Sequence, residues 1–329
     1  MDFSPGTPAD VVVDGLRAWL AASAEPEPLV VGTSGSTGAP KRVLLSRRAV
    51  LASVAATERR LGGSGRWALA LPPTYVAGLQ VICRSLVAGH EPVLDGWAGA
   101  GFTSLVPTQL HRLLDDPASV AALRELHTIL LGGGPIDPSL RTRAAAEGLR
   151  VVATYGSAET AGGCVYDGYP LDGVEAVVDS DGRVRISGPT LFDGYDGDPE
   201  LTSRVLVDGW FLTSDAGRLD DDGRLHVLGR IDDVVVSGGV NVPLPAVAAR
   251  LRAHPELAEA EVVGVPDEVW GQRVVAFVVT TGQVSLDEVR DWVAGAHPRS
   301  WAPRDVVVVE ALPMLDNGKV DRMALQERA

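Results

Sequence analysis

A segment suited to binding phosphate spans residues 33–41 and directly follows an apolar run at residues 29–31 that is typical of a buried strand. Its glycines let the backbone turn tightly, its hydroxyl side chains can donate hydrogen bonds, and Lys41 supplies a positive charge. The spacing is not that of a Walker A motif, because Pro40 rather than glycine precedes the lysine. The segment predicts a polyphosphate-binding loop, with an ordinary surface turn as the alternative. The residues assigned to the ligand are Thr33, Ser34, Gly35, Ser36, Thr37, Gly38 and Lys41.

Three further places could contribute chemistry. Glu159 follows an apolar run at residues 151–153, and a carboxylate beside a phosphate loop can hold Mg²⁺ between phosphate oxygens. The glycines at residues 132–134 would let a ligand approach the backbone closely, or form a plain turn between a strand and a helix. Lys319, near the C-terminus, could stabilise negative charge that develops in a transition state. The alternatives are an exposed loop glutamate for Glu159 and a solvated surface lysine for Lys319.

The composition is that of an acidic globular chain. Its 329 residues carry 29 Lys and Arg against 43 Asp and Glu, a formal net charge of −14, without a basic run. Sequence-independent nucleic-acid binding depends on clustered basic side chains, so it is excluded as the main function. With 46% hydrophobic residues the chain can bury a large core, and its length predicts about two domains.

The sequence carries no sign of export or of membrane insertion. The N-terminus lacks a basic start followed by an apolar stretch, and the longest uncharged run, residues 67–83, is interrupted by two prolines. Cys83 and Cys164 lie far apart, which argues against a disulfide framework and a cysteine-built zinc site. A cytosolic protein without a membrane span is expected.

Short apolar runs alternate with amphipathic segments between residue 29 and about residue 190. Strands are predicted at residues 29–31, 67–71, 129–131 and 151–153, and helices at residues 47–61, 77–86 and 138–147. This alternation predicts an α/β fold, in which a large N-terminal domain holds a mostly parallel sheet covered on both faces. After residue 165, short strands separated by Asp-Gly turns predict an antiparallel β-subdomain.

A further change of pattern near residue 232 predicts a small α+β domain at the C-terminus. Its predicted helices are residues 244–253 and 286–293, and its predicted strands are residues 262–265, 274–279 and 306–309. The predicted domains are therefore residues 1–231 and residues 232–329.

Five motifs resemble, in the same order and at similar spacing, those of the adenylate-forming superfamily of acyl-CoA synthetases, luciferases and peptide-synthetase adenylation domains. They are the loop at residues 33–41, Tyr-Gly-Ser-Ala-Glu-Thr at 155–160, Gly-Trp-Phe-Leu-Thr-Ser-Asp at 209–215, Gly-Arg-Ile-Asp-Asp at 229–233 and Pro-Met-Leu-Asp-Asn-Gly-Lys at 313–319. The resemblance implies the adenylate-forming enzyme fold, with a trimmed N-terminal domain and a mobile C-terminal domain. It also implies ATP, Mg²⁺ and coenzyme A as cofactor and co-substrates.

The resemblance further implies roles for individual residues. The nucleotide-binding residues beyond the loop would be Gly133, Gly134, Tyr155, Gly156, Asp215 and Arg230, the last two on the ribose hydroxyls. The catalytic residues would be Lys319, Glu159 and Lys41, with Glu159 holding Mg²⁺. The acid substrate and coenzyme A would contact Gly132, Ala161, Gly162, Gly163, Gly238 and Gly239. Asp232 would be the hinge about which the C-terminal domain rotates to deliver Lys319.

Within the superfamily, residues 71–80, 106–110 and 159–168 are most similar to the o-succinylbenzoate–CoA ligases of menaquinone biosynthesis. The implied reaction forms acyl-AMP and pyrophosphate from a carboxylic acid, with 2-succinylbenzoate favoured, and ATP, and then transfers the acyl group to coenzyme A. Departures from the superfamily pattern are Arg42, Thr74, Tyr75 and Ala158. The alternatives are another aryl- or acyl-CoA ligase, an amino-acid adenylation domain and a non-catalytic nucleotide-binding protein. A homodimer is left open.

Overall fold

The computed structural model describes residues 1–33, 41–313 and 320–329, except for the side chain of Asp232. Several predicted site residues lie outside the described residues, namely Ser34, Gly35, Ser36, Thr37, Gly38 and Lys319.

The helices and strands of the described residues are numbered in chain order. The helices are α1 (Ala9–Ala21), α2 (Arg47–Leu61), α3 (Val76–Val87), α4 (Pro107–Leu113), α5 (Pro117–Arg124), α6 (Pro138–Ala146), α7 (Pro199–Val205), α8 (Leu244–Arg252), α9 (Leu286–Ala294) and α10 (Arg322–Gln326). The strands are β1 (Leu29–Gly32), β2 (Arg42–Leu45), β3 (Trp67–Ala68), β4 (Phe102–Leu105), β5 (Thr128–Leu131), β6 (Val151–Ser157), β7 (Gly162–Tyr166), β8 (Tyr169–Pro170), β9 (Glu175–Val178), β10 (Arg183–Ser187), β11 (Gly194–Tyr195), β12 (Leu206–Val207), β13 (Trp210–Leu219), β14 (Leu225–Arg230), β15 (Val234–Ser237), β16 (Val240–Pro243), β17 (Leu257–Asp267), β18 (Gly271–Thr280) and β19 (Asp305–Val308).

The chain forms two compact units. The first unit comprises Met1–Val177, Arg185–Thr213 and Leu219–Leu225. The second comprises Val178–Val184, Ser214–Arg218 and His226–Ala329. The predicted domain boundary between residues 231 and 232 stays a prediction.

A six-stranded sheet in the order β3-β4-β5-β6-β7-β8 forms the centre of the first unit. Strands β3 to β6 pair in parallel, whereas β7 and β8 pair antiparallel. Every residue of β4 and β5 is buried, as expected for parallel strands that are covered on both faces. The predicted mostly parallel sheet is therefore confirmed for β3, β5 and β6, and its neighbouring strand ends set the position of the pocket described below. The predicted strand at residues 29–31 is not part of it, because β1 pairs antiparallel with β2 in another sheet.

A second sheet of the first unit, in the order β1-β2-β11, carries the predicted phosphate loop. Strands β1 and β2 pair antiparallel, with Gly32 opposite Arg42, so residues 33–41 connect the two strands of a hairpin. Strand β11 pairs with the other edge of β2, with Tyr195 opposite Val43. This pairing brings a segment about 150 residues away in sequence next to the strand that follows Lys41.

Helix α2 has the bounds that were predicted, because both of its ends are capped. The Ser46 side chain accepts a hydrogen bond from the backbone N–H of Ala49 at the first turn. At the other end Gly62 adopts a left-handed conformation, with φ of 77°, and its N–H donates to the carbonyls of Glu58 and Arg59.

Several features of the first unit differ from the sequence-based expectation, which did not include β4, α4 or α5. Helix α1 was not predicted, and it forms because Val12, Leu16 and Trp19 lie on one face that is buried in the core. The strand predicted at residues 67–71 is only Trp67–Ala68 long, and the N–H of Leu69 donates to the carbonyl of Val93 instead.

The second unit contains a sheet in the order β16-β15-β18-β17, with β19 parallel to β18. Helices α8 and α9 contribute Val247, Leu251, Val289 and Val293 to its core. Helix α9 begins at a capping box formed by Ser285 and Glu288. The predicted α+β character of this region is confirmed. A separate five-stranded sheet has the order β12-β13-β10-β9, with β14 paired to β13.

Candidate active site

An open pocket with about 610 Å³ of empty volume lies in the first unit, at the carboxyl ends of β4, β5 and β6 and beside α3. Ligands of open α/β sheets commonly bind in such crevices. Its lining includes five residues assigned to ligands from the sequence, namely Gly132, Gly133, Gly156, Gly162 and Gly163. The structure therefore brings these five positions together around one pocket.

Glycine is needed at two of these positions because other backbone lies very close. A Cβ atom on Gly132 would lie against Thr154 Oγ1 and 2.9 Å from the carbonyl oxygen of Thr154. A Cβ atom on Gly156 would collide with the carbonyl of Gly162 on the neighbouring strand. At Gly134, by contrast, nothing lies within 4 Å of the added atom. At these two positions the backbone itself forms the pocket wall, and no side chain projects from it.

Glu159 lies on a short 3₁₀ turn that directly follows β6 and is 8% exposed. The hydroxyl of Tyr195 donates to Glu159 Oε1 at 2.8 Å, and the N–H of Phe192 donates to the Glu159 carbonyl at 2.9 Å. Burial, and then the Glu159 carboxylate, raise the pKa of the Tyr195 phenol above its ordinary value. Ala161, in the turn after Glu159, is fully buried in the hydrophobic core, and its assignment to the substrate stays a prediction.

Thr33 and Lys41, the two ends of the predicted phosphate loop, are hydrogen-bonded to each other. The N–H of Thr33 donates to the Lys41 carbonyl at 2.9 Å, and the N–H of Lys41 donates to Thr33 Oγ1 at 3.3 Å. The Lys41 ammonium lies 5.4 Å from the centroid of the Tyr195 ring, within the range of a cation–π interaction. Lys41 and Glu159, assigned from separate motifs, therefore both contact Tyr195.

A single buried carboxylate suits Mg²⁺, which usually takes one or two protein carboxylates and completes its shell with water and substrate phosphates. Among the residues that the structure describes, no group of three or more His, Cys, Asp or Glu side chains forms a protein cage for a metal. Glu159 beside the base of the phosphate loop fits a metal that arrives with a nucleotide.

Arg84 was missed from the sequence. Its side chain on α3 lines the pocket although the residue is only 6% exposed, and none of the described carboxylates is paired with it. Its guanidinium lies 5.0 Å from the Trp67 ring and its Nη2 is 3.5 Å from the hydroxyl of Tyr166, while its Nε has no hydrogen-bond partner. The signal in the sequence is an arginine within an otherwise uncharged helical run, residues 79–87.

Gln80 lies one helical turn before Arg84 and lines the same pocket. Its Nε2 donates to the Ala161 carbonyl at 2.8 Å, and the Ser53 hydroxyl donates to the same carbonyl at 3.1 Å. These two bonds fix the turn that follows Glu159.

The remaining predicted residues have defined places. Tyr155 is partly buried on β6 opposite Val165. In the second unit, Asp215 Oδ1 and Arg230 Nη1 are 4.0 Å apart, so the two residues assigned to the ribose are neighbours. Asp232 lies in a 3₁₀ turn, Ile231–Asp233.

The glycines assigned to coenzyme A form the tip of the β15–β16 hairpin in the second unit. Gly238 and Gly239 have φ values of 58° and 77°, which favour glycine. A Cβ atom on Gly238 would lie 2.6 Å from Trp270 Cε3, so the hairpin tip packs directly on the Trp270 indole.

Within the described ranges of the chain, no helix is both long and apolar enough to cross a membrane.

Known proteins resemble this chain along most of its length. The family model for AMP-binding enzyme matches residues 28–195, and that for the AMP-binding enzyme C-terminal domain matches residues 246–319. A probable 2-succinylbenzoate–CoA ligase from Mycobacterium tuberculosis is 44% identical over 322 residues, which cover 91% of this chain and 84% of that protein.

Two solved structures of o-succinylbenzoate coenzyme A synthetase from Bacillus subtilis are also similar. The complex with the acyl-adenylate intermediate OSB-AMP has a TM-score of 0.75 and 28% identity, covering 91% of this chain and 68% of that one. The complex with ATP and magnesium ion has a TM-score of 0.74 and 28% identity, covering 91% of this chain and 69% of that one.

Proposed function

The chain belongs to the AMP-binding enzyme family, and from this membership we propose that it is an ATP-dependent acid–CoA ligase acting on 2-succinylbenzoate in menaquinone biosynthesis. The family and the adenylate-forming fold that the five motifs predicted are confirmed. In the proposed reaction a substrate carboxylate attacks the α-phosphorus of ATP, which forms acyl-AMP and releases pyrophosphate. The thiol of coenzyme A then attacks the acyl carbon and AMP leaves.

The observation that supports this substrate is the buried guanidinium of Arg84 in the pocket wall. 2-Succinylbenzoate has two carboxylates, so the carboxylate that is not activated stays ionised inside the site. A buried charge is costly unless an opposite charge pairs with it, and arginine matches a carboxylate in shape and charge. Arg84 contacts only neutral groups among the described residues and is therefore available to such an anion.

The residues proposed for the nucleotide come from several of the sequence motifs. Thr33 and Lys41 frame the phosphate loop, Glu159 would hold Mg²⁺, and Asp215 with Arg230 would bind the ribose. Mg²⁺ bound there would neutralise charge on the phosphate oxygens. The glycines around the pocket would let the adenylate approach the backbone of β5 and β6, with Gly132, Gly162 and Gly163 nearest the acyl group.

Lys319 is proposed as the catalytic ammonium group of the first half-reaction. A carboxylate and a triphosphate are both anionic, so charge accumulates when they react, and a positive group placed there stabilises the transition state. The small domain, residues 232–329, would rotate about Asp232 between the half-reactions. Gly238 and Gly239 would then line the path of the coenzyme A thiol.

An acid panel tests the proposal. The purified full chain is incubated with ATP, Mg²⁺, coenzyme A and one acid at a time, and the thioester is measured by mass spectrometry. The kcat/KM for 2-succinylbenzoate should exceed that for benzoate, which lacks the succinyl carboxylate, by about 100-fold or more.

Other outcomes of the panel would contradict the proposal in distinct ways. Preference for benzoate or a fatty acid would indicate another acyl-CoA ligase. Pyrophosphate exchange that depends on an amino acid would indicate an adenylation domain that loads a carrier protein. Nucleotide binding without turnover of any acid would indicate a non-catalytic protein.

A further inference from the structure

Tyr195 lies between the two charged residues of the candidate nucleotide site in the first unit. Its hydroxyl donates to Glu159 Oε1 at 2.8 Å, and its ring faces the Lys41 ammonium at 5.4 Å. None of the five motifs includes this residue. Its place comes from the pairing of β11 with β2, which aligns Tyr195 with Val43, two residues after Lys41.

The Tyr195 ring is held on several sides, so its hydroxyl has a fixed direction. The residue is 5% exposed, and its backbone N–H donates to Thr202 Oγ1 at 2.9 Å. The Phe192 ring packs edge-on at a centroid distance of 5.0 Å, and the Phe192 N–H also binds the Glu159 carbonyl. The backbone and the side chain of Glu159 are thus both tied to the segment 192–195.

We propose that Tyr195 is a positioning residue for the nucleotide–metal site, which orients the Glu159 carboxylate through its hydroxyl and the Lys41 ammonium through its ring. This inference rests on the proposed function, because it assigns the two oriented charges to Mg²⁺ and to the phosphates of ATP. The hydrogen bond from the Tyr195 hydroxyl to Glu159 Oε1 restricts rotation of the carboxylate group. Groups that orient a metal-binding carboxylate typically affect metal affinity about 10–100-fold when they are removed.

The ring also keeps the two opposite charges apart. A lysine and a buried carboxylate without intervening groups tend to form an ion pair, which would neutralise both before a ligand binds. Here the ammonium lies on the ring face and the carboxylate on the hydroxyl of the same residue. Both charges therefore remain available to a phosphate and a metal.

The contrasting explanation is that Tyr195 only packs the core, where Phe192 also contacts Phe211 at 5.5 Å. Substitution Tyr195→Phe separates the two explanations, since it keeps the ring and removes only the hydroxyl. Tyr169→Phe is the matched control, because it removes the hydroxyl of a tyrosine that is 40% exposed.

The test measures Mn²⁺ binding to the full chain in complex with α,β-methylene-ATP, by electron paramagnetic resonance of the free ion. Tyr195→Phe should weaken Mn²⁺ binding about 10-fold, and Tyr169→Phe should leave it unchanged. In a Glu159→Gln background, adding Tyr195→Phe should cause no further loss, because the hydroxyl acts through that carboxylate. A structural role predicts additive losses instead.

Three results would overturn the inference: unchanged Mn²⁺ affinity in Tyr195→Phe, additive losses in the double variant, or a loss that merely follows a collapse of the melting temperature. None of these three results affects the proposed function, provided that the wild type adenylates 2-succinylbenzoate. If the wild type forms no acyl-AMP, the proposed function fails and the inference fails with it.

Discussion

Lysine is confined to two positions of this chain, Lys41 and Lys319, although Lys and Arg together number 29. The other 27 of these residues are arginine, whose planar guanidinium suits paired contacts with carboxylates. The lysine ammonium is a compact point charge that can approach a phosphate from several directions. The distribution agrees with the roles that the resemblance implies for both lysines at the phosphates of ATP.

Substitution Arg84→Met should weaken binding of the acid specifically. It replaces the guanidinium by an apolar side chain, and a hydrogen-bonded charge contact contributes about 1.5–3 kcal/mol. The KM for 2-succinylbenzoate should therefore rise about 10–100-fold, while the KM for ATP changes less than about 2-fold. Steady-state kinetics measures both constants. Arg112→Met, at an exposed position of α4, is the matched control.

An unchanged KM for the acid in Arg84→Met would show that the second carboxylate binds elsewhere. The melting temperature should not fall, because removal of a buried charge that has no ionic partner is often neutral or stabilising.

The site residues that the sequence identified are recognised from local motifs, whereas those that it missed depend on contacts between residues distant in sequence. Lys41 and Glu159 were found because each lies in a local motif after a strand. Arg84 was missed because the sequence predicts a helix at residues 77–86 without indicating which of its faces lines a pocket, and only the fold shows that. Tyr195 was missed because its bond to Glu159 joins residues 36 positions apart and depends on the pairing of β11 with β2.

At the scale of elements, the helices and strands that could be predicted are those with local signals in their own sequence. The bounds of α2 follow from Ser46 and Gly62, and the parallel strands β5 and β6 follow from uninterrupted apolar runs. Helix α1 was missed because consecutive valines at residues 11–13 do not favour a helix locally. Its stability comes instead from the burial of Leu16 and Trp19 against the first unit.

The turn after β5 allows a matched pair of substitutions. Gly132→Ala forces a Cβ atom against the backbone and side chain of Thr154, whereas Gly134→Ala meets nothing within 4 Å. We expect Gly132→Ala to lower the free energy of unfolding by about 1–3 kcal/mol. Gly134→Ala should change it by less than about 0.5 kcal/mol. Urea denaturation followed by circular dichroism measures both, and equal effects would contradict the close packing of β5 on β6.

At the scale of the whole molecule, the net charge of the chain has the same sign as the charges of its proposed substrates. The chain carries a formal charge of −14, and ATP, coenzyme A and the acid are all anions. Long-range steering therefore gives no help to association. Attraction must therefore come from individual positive groups such as Lys41, Arg84 and Arg230.

The two buried cysteines predict how stability depends on pH. Burial raises the pKa of the Cys83 and Cys164 thiols to about 12, from 9.0. Below pH 9 both thiols are protonated in the folded and the unfolded chain. Between pH 9 and 12 only the unfolded chain loses these protons, so the free energy of unfolding should fall as pH rises.

At pH 10 the expected loss is about 1 kcal/mol per thiol. Urea denaturation at pH 8 and pH 10 measures this loss, and the Cys83→Ala, Cys164→Ala double variant should lose less over the same interval. The same slope in both proteins would contradict the burial of these thiols.

The most direct test of the central claim measures the two half-reactions separately in Lys319→Ala. Pyrophosphate exchange with 2-succinylbenzoate, ATP and Mg²⁺ reports adenylation, and thioester formation from supplied acyl-AMP and coenzyme A reports the second step. Arg328→Ala, which removes an exposed positive charge near the same end of the chain, is the control. Adenylation should fall at least about 100-fold in Lys319→Ala. Thioester formation should fall far less, whereas an equal loss in both half-reactions would contradict the assigned role of this lysine.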